Sequence, residues 1–252
     1  MGAIDPWQFE AIITIAAIFL LAGAVKGVVG FGLPTVALAL LTVVFGLKGA
    51  MVLMIVPSFA TNFWQGVVGG AFLKLVRRFW LLLLLTCICI WLGAKLLHVI
   101  DTRLLSALLG ILTFGYALYG LMTPNIPDVQ VHESWLSPLV GAVNGIVMGM
   151  TGSSAIPAVP YFQSLYMPRE EMIQVMGILF SLSALMLGIA MAGEKLVSVE
   201  LGTASLAGLV PAFVGMWGGL WVRGLISEAL FRRLLFASLL LLGGYITVRA
   251  IW

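Results

Sequence analysis

Two glycine-rich segments interrupt the apolar sequence, and each of them ends in a proline. The first is Gly30-Phe-Gly-Leu-Pro34, and the second is Gly149-Met-Thr-Gly-Ser-Ser-Ala-Ile-Pro157. Irregular backbone leaves N–H and C=O groups unpaired, and hydrocarbon tolerates it only where it is buried in protein or lines a watery cavity. A helix that starts after such a break presents N–H groups and the positive end of its dipole to the gap. The two breaks are therefore the first candidates for a binding site, and they favour an anion.

Lys26 lies in the apolar run that precedes the first break. A charged residue at the centre of a membrane helix costs at least about 2.5–3.5 kcal/mol on insertion scales, so it usually has a partner or a function. One interpretation makes Lys26 the countercharge of an anionic ligand. In the other, Lys26 lies near the end of its span and extends to the membrane interface. The sequence leaves both interpretations open.

The candidate binding residues are the polar, glycine and proline positions on and around the two breaks. They are Lys26, Gly30, Gly32, Pro34, Thr35 and Asn62 in the first half, and Asn144, Gly149, Thr151, Gly152, Ser153, Ser154 and Pro157 in the second. A purely structural explanation is available for some of the surrounding residues. Gly23 with Gly27, and Gly141 with Gly145, are pairs of small residues that allow helices to approach closely, and single polar groups can bond across helices.

The composition indicates that these breaks lie within a membrane protein. The chain has 252 residues, of which 62% are hydrophobic and 9% charged, whereas a soluble domain carries about 25% charged residues. A membrane span needs about 20 apolar residues. The apolar segments are 9–29, 31–46, 50–72, 79–98, 104–122, 135–150, 155–166, 172–192, 198–222 and 231–252. The sequence therefore predicts an all-α polytopic membrane protein with eight firm transmembrane helices and two short or broken segments, 31–46 and 155–166.

The two halves of the chain are similar. Gly23-Ala-Val-Lys-Gly-Val-Val29 matches Gly141-Ala-Val-Asn-Gly-Ile-Val147 without a gap, and a Gly/Pro break follows each match. Residues 51–62 also correspond to residues 172–183, so Asn144 is the counterpart of Lys26 and Ser183 that of Asn62. We predict a first transmembrane repeat at residues 1–122, a linker at 123–134 and a second repeat at 135–252.

The basic loops predict how the two repeats are oriented. In the first half, Lys74, Arg77 and Arg78 follow the third segment, and this excess of positive charge predicts a cytoplasmic loop. In the second half, the basic cluster lies one segment later, at Arg223, Arg232 and Arg233. Such a shift is typical of inverted repeats, and with ten crossings it places both termini outside. Two parallel units of four spans each are the alternative.

Several function classes are disfavoured by missing motifs. The sequence has no Gly-x-x-x-x-Gly-Lys-Ser/Thr run and no His-Glu-x-x-His run, so an ATP-driven pump and a metalloenzyme are not indicated. No basic stripe stands clear of the apolar runs, which argues against nucleic-acid binding. We therefore expect no enzymatic activity, cofactor or metal, and any driving force should come from a gradient.

Both breaks resemble the paired glycine-rich signatures of the sulfite exporter TauE/SafE family of membrane transporters. The resemblance implies a multi-pass permease of the bacterial inner membrane that carries sulfite, sulfonates or related sulfur-containing or organic anions. It also implies the lipid bilayer and a small anion as partners. A proton or sodium is the candidate coupling ion, and the oligomeric state is left unassigned. Many members have three glycines in the first signature, where this sequence has Gly30-Phe-Gly32. A membrane scaffold or accessory subunit without transport activity is the alternative function.

Overall fold

The computed structural model describes residues 6–122, 127–225 and 227–252, except for the side chain of Glu228. These residues form α-helices and one short 3-10 turn. The helices are α1 (Phe9–Val29), α2 (Leu33–Val68), α3 (Phe72–Val99), α4 (Thr102–Met122), α5 (Glu133–Thr151), α6 (Ala158–Ser164), α7 (Arg169–Gly193), α8 (Val199–Ala207), α9 (Leu209–Val222) and α10 (Glu228–Ile251). The all-α prediction is confirmed for this part of the chain.

Seven stretches of the described helices are long and apolar enough to cross a membrane. They are α1, α2, α3, α4, α7, the run Val199–Val222 that joins α8 to α9, and Ala229–Ile251 of α10. The protein is therefore a multi-pass membrane protein, as predicted. The predicted number of eight firm spans is not confirmed, because α5 is not among the seven stretches.

The two short segments behave differently from each other. Segment 31–46 forms the first part of α2, because Gly46 is non-helical (φ 71°, ψ 169°) and divides α2 into two helices, residues 33–45 and 47–68. A positive φ of this size is favourable for glycine because glycine has no Cβ. Segment 155–166 contains only the seven residues of α6, which at 1.5 Å per residue extend about 10 Å and cannot cross a membrane.

The glycines of the repeated motif let two helix pairs approach to backbone contact. A Cβ atom on Gly27 of α1 would lie 2.2 Å from the carbonyl O of Met216 in α9. A Cβ atom on Gly145 of α5 would lie 2.5 Å from the carbonyl O of Thr86 in α3. The preceding glycines meet the same partner helices, namely Gly23 and Gly141. Close packing is therefore what these four glycines provide, and residue numbers rise together in both pairs, so the paired helices run parallel.

Two further helix pairs run antiparallel. Residues 47–68 of α2 pack on α7, and α4 packs on α10. Residue numbers fall along one helix as they rise along the other. The contacts that define these directions join Ile55 to Gly188 and Gly66 to Ile178, then Gly110 to Thr247 and Gly120 to Phe236.

Contacts between polar side chains mark the two ends of the helix bundle. At one end, Lys74 Nζ lies 2.6 Å from Glu171 Oε1, and Arg78 donates two hydrogen bonds of 2.7 and 2.6 Å to Glu133. These contacts bring the starts of α3, α5 and α7 together, and we call this the basic end. At the opposite end, the His98 Nε2 to Glu194 Oε2 distance is 3.2 Å, which joins the ends of α3 and α7.

Candidate functional site

The first break consists of a helix stop followed at once by a helix start. Helix α1 ends at Gly30, whose φ is +96° and whose N–H donates to the carbonyl O of Lys26 at 2.7 Å. Gly32 has a φ of +104° and precedes α2, which has Pro34 in its first turn. Left-handed glycines end helices without Cβ strain, and proline suits the first turn because the N–H it lacks would be unpaired there.

The second break has a longer irregular stretch. Helix α5 ends at Gly152, which has a φ of +75° and donates to the carbonyl O of Met148 at 2.8 Å. The N–H of Ser153 then donates to Thr151 Oγ1 at 3.2 Å. The helix that follows the second break, α6, is only seven residues long. A long helix with a full helix dipole therefore follows the first break but not the second. The expected symmetry of two helix starts is therefore incomplete.

A small cavity lies between the two breaks, and we call it the break cavity. Its volume is about 10 Å³, which is roughly the space for one water molecule. It is lined by Pro34, Thr35, Ser58, Met148, Gly152, Ser154, Ala155 and Phe180. Both breaks therefore contribute predicted residues to one cavity, and α2, α5 and α7 complete its wall.

Lys26 is buried and faces α2. Its side chain donates to Asn62 Oδ1, and Thr61 Oγ1 lies 3.4 Å from Nζ. The residue is 2% exposed, so the interpretation that it extends to the membrane interface is wrong. Lys26 is buried because the end of α1 packs against the second part of α2. This packing places Asn62 next to the ammonium group of Lys26.

Asn62 links Lys26 to the break cavity. Its Nδ2 donates to the carbonyl O of Ser58 at 2.8 Å and to Ser58 Oγ at 3.2 Å. Ser58 lines the cavity, whereas Lys26 does not. Lys26 is therefore connected to the cavity through one amide and one hydroxyl group.

Several buried polar side chains of the second half have no hydrogen-bond partner among the described residues, and three of them are relevant to the candidate site. They are Asn144, through both Oδ1 and Nδ2, Ser154 and Ser183. Asn144 and Ser183 are fully buried, and Ser154 is 6% exposed. In the predicted correspondence of the two halves, Asn144 and Ser183 are the counterparts of Lys26 and Asn62, which are bonded to each other in the first half. A buried polar group without a partner costs free energy, and a bound water, ion or ligand is a common explanation.

The remaining predicted residues shape the second break and do not line the cavity. A Cβ atom on Gly149 would lie 2.3 Å from the carbonyl O of Ile90, so Gly149 packs α5 on α3. Thr151 Oγ1 donates to the carbonyl O of Val147 at 2.8 Å. Ser153 Oγ accepts from the N–H of Ala155 at 3.5 Å, and Pro157 directly precedes α6.

Several residues of the site are not among the predicted binding residues. Ser58 lies one helical turn before Asn62 and faces the same side of α2, so that spacing could have identified it. Gln65 Nε2 donates to the carbonyl O of Gly30 at 2.7 Å and to that of Ile173 at 2.9 Å, which satisfies a carbonyl freed by the break. Phe180 has no polar signal, and only the packing of α7 places it at the cavity.

The family model of the sulfite exporter TauE/SafE family matches residues 15–246. The chain belongs to this family. The match includes both breaks and both similar halves, so the resemblance seen in the glycine-rich signatures is confirmed over nearly the whole chain. Comparisons with curated proteins and with solved structures gave no match. TauE/SafE proteins form a family of membrane transporters, and the prediction of a membrane transporter is confirmed at this level.

Proposed function

We propose that this TauE/SafE protein carries sulfite, sulfonates or related small anions across the bacterial inner membrane, and that the anion binds at the break cavity. The observation that supports the proposal is that both breaks line one cavity, which contains the unpartnered hydroxyl of Ser154. Transport is either downhill or coupled to an ion gradient, because the sequence has no nucleotide-binding motif.

The charges around the cavity favour an anion over a cation. Lys26 is the only buried residue with a formal charge in the part of the chain that the structure describes. It reaches the cavity wall through Asn62 and Ser58. The start of α2, with Pro34 and Thr35 at the wall, adds the positive end of a helix dipole. A single-water volume means that this conformation is closed and that the helices must separate to admit an anion.

We further propose that residues 1–122 and 135–252 are inverted repeats joined by the linker 123–134, part of which lies outside the described residues. Two observations support this orientation. The second part of α2 and its counterpart α7 run antiparallel, and so do α4 and α10, which are counterparts because residues 100–104 correspond in sequence to residues 226–230. Counterparts in parallel repeats would cross the membrane in the same direction.

The first prediction tests transport itself. The purified protein in proteoliposomes should show saturable uptake of sulfite or of a simple sulfonate such as methanesulfonate, measured with labelled anion against protein-free liposomes. Saturation is expected because each transport cycle requires the anion to bind, and the number of binding sites is limited. If none of these anions shows saturable flux, the scaffold alternative is favoured and the proposed function is wrong.

Replacing Ser154 with alanine should lower anion uptake below saturation by about tenfold, since one lost hydrogen bond of about 1.4 kcal/mol corresponds to that factor. The melting temperature should not fall, because Ser154 Oγ has no partner to lose. Ser238→Ala is the matched control, since that hydroxyl is exposed and bonds only within α10. Equal uptake by wild type and Ser154→Ala would remove Ser154 from the site.

A reporter fused after Trp252 should report the outside of the cell. The end of the first part of α2 (residues 33–45) lies beside the end of α10, because Arg249 donates to the carbonyl O of Val43 at 2.8 Å. This location is opposite to the basic end, which should face the cytoplasm. A matched fusion within the loop after α9, next to Arg223, should report the cytoplasm. The reverse pattern would contradict the proposed topology.

A further inference from the structure

The ammonium group of Lys26 has no counter-charge among its neighbours. Its hydrogen-bond partners, Thr61 and Asn62, are both neutral. Helix α1 packs on α9, α2 and α10. Helix α9 has no ionisable residue, and α2 has only Lys48.

No carboxylate of the described helices around Lys26 compensates the charge. Helix α1 itself carries Glu10, which precedes Lys26 by more than four turns, or about 24 Å along the axis. The ionisable residues that the structure describes in α10 are Arg232, Arg233, Tyr245 and Arg249. An ammonium group in such surroundings is costly unless an anion is present nearby.

An anion in the break cavity would supply the missing negative charge. The cavity wall at Ser58 is one side chain away from the Asn62 amide that binds Lys26. Anion binding and the protonated state of Lys26 therefore stabilise each other, and by linkage the effect is reciprocal. An empty site removes this stabilisation and favours release of the proton.

We propose that Lys26 carries the coupling proton, so that one proton enters and leaves the protein with each anion. The inference rests on the proposed function of the break cavity. On the entry side, the lone pair of Lys26 Nζ takes a proton from hydronium and forms an N–H bond as the anion binds. On the release side, that N–H bond breaks and the proton returns to water with the anion. For a monovalent anion, the cycle moves no net charge.

The experiment measures anion uptake and internal pH together in proteoliposomes that contain a trapped pH-sensitive dye, with the membrane potential clamped. Methanesulfonate is the preferred probe because it stays ionised and cannot carry a proton itself. The wild type should acidify the interior by about one proton per anion taken up. With sulfite as the probe, the difference between wild type and variant isolates Lys26, because the chemistry of the anion is common to both.

Two variants assign the proton to Lys26. Lys26→Met should lower anion uptake at least tenfold and abolish the proton that accompanies the residual uptake. Lys26→Arg should retain anion exchange but move no proton, because a guanidinium stays charged. Lys95→Met removes an exposed lysine of α3 and should behave as wild type.

The outcomes separate this inference from the proposed function. Absence of saturable anion uptake by the wild type would contradict the proposed function. Wild-type uptake without proton movement would overturn the inference alone, and so would a full proton per anion in Lys26→Arg or Lys26→Met. If Lys26→Met does not fold, the Lys26→Arg result decides.

Discussion

Replacing Asn62 with leucine should lower the free energy of unfolding by about 1.5–3 kcal/mol, because the buried ammonium of Lys26 loses a hydrogen-bond acceptor. Asn62 is 1% exposed and accepts a hydrogen bond from Lys26. The double variant Asn62→Leu/Lys26→Met should recover much of the loss, since replacing both partners with apolar groups is often close to neutral. Unfolding of the purified protein in detergent measures both values.

Asn144→Leu is the matched control for this prediction. Asn144 is also a fully buried asparagine, but its side-chain atoms have no partner among the described residues. Its replacement should leave stability unchanged or raise it, because an unsatisfied polar group is removed. Equal losses for Asn62→Leu and Asn144→Leu would show that the bond to Lys26 contributes nothing specific.

Replacing Gly219 with alanine should destabilise the protein by about 1–3 kcal/mol or more, the range for overpacking a tight interface. The new Cβ atom would lie 2.2 Å from the carbonyl O of Ala24, so α9 would have to move away from α1. The neighbouring Gly218 is exposed, and no atom lies within 4 Å of a Cβ placed there. Gly218→Ala should therefore leave stability unchanged or raise it slightly, since alanine favours helix over glycine by about 1 kcal/mol.

Thermal unfolding in detergent and the yield of monodisperse protein distinguish the two glycine variants. A similar loss in Gly218→Ala and Gly219→Ala would indicate a general effect on the α9 helix. A loss confined to Gly219→Ala identifies the backbone contact between α1 and α9 as the cause.

Features that depend on local backbone chemistry could be predicted from the sequence. Gly30, Gly32 and Gly152 all have a positive φ, a conformation that glycine adopts readily because it has no Cβ. The glycine pairs predicted backbone contact between helices, and the contacts are observed at Gly27 and Gly145. These features needed only the properties of glycine and proline at known spacing.

Features that depend on how helices rotate against one another could not be predicted. Hydropathy gives the depth of Lys26 along α1 but not the direction of its side chain, which is set by the position of Asn62 on α2. Phe180 reaches the cavity only through the packing of α7.

The parallel helix pairs have a consequence for how the chain is made. Helix α1 packs its glycine face on α9, and α5 packs its glycine face on α3, so each pair joins one helix from early in the chain to one that is synthesised later. During synthesis, the glycine face of α1 stays without its partner helix until residues 209–222 have left the ribosome. Helix α3, in contrast, can pack on its partner as soon as α5 has emerged. The pair of α3 and α5 can therefore assemble early, whereas α1 completes its packing among the last steps. Gly27 and Gly219 are therefore needed at a late step of biogenesis, in which α9 packs on α1.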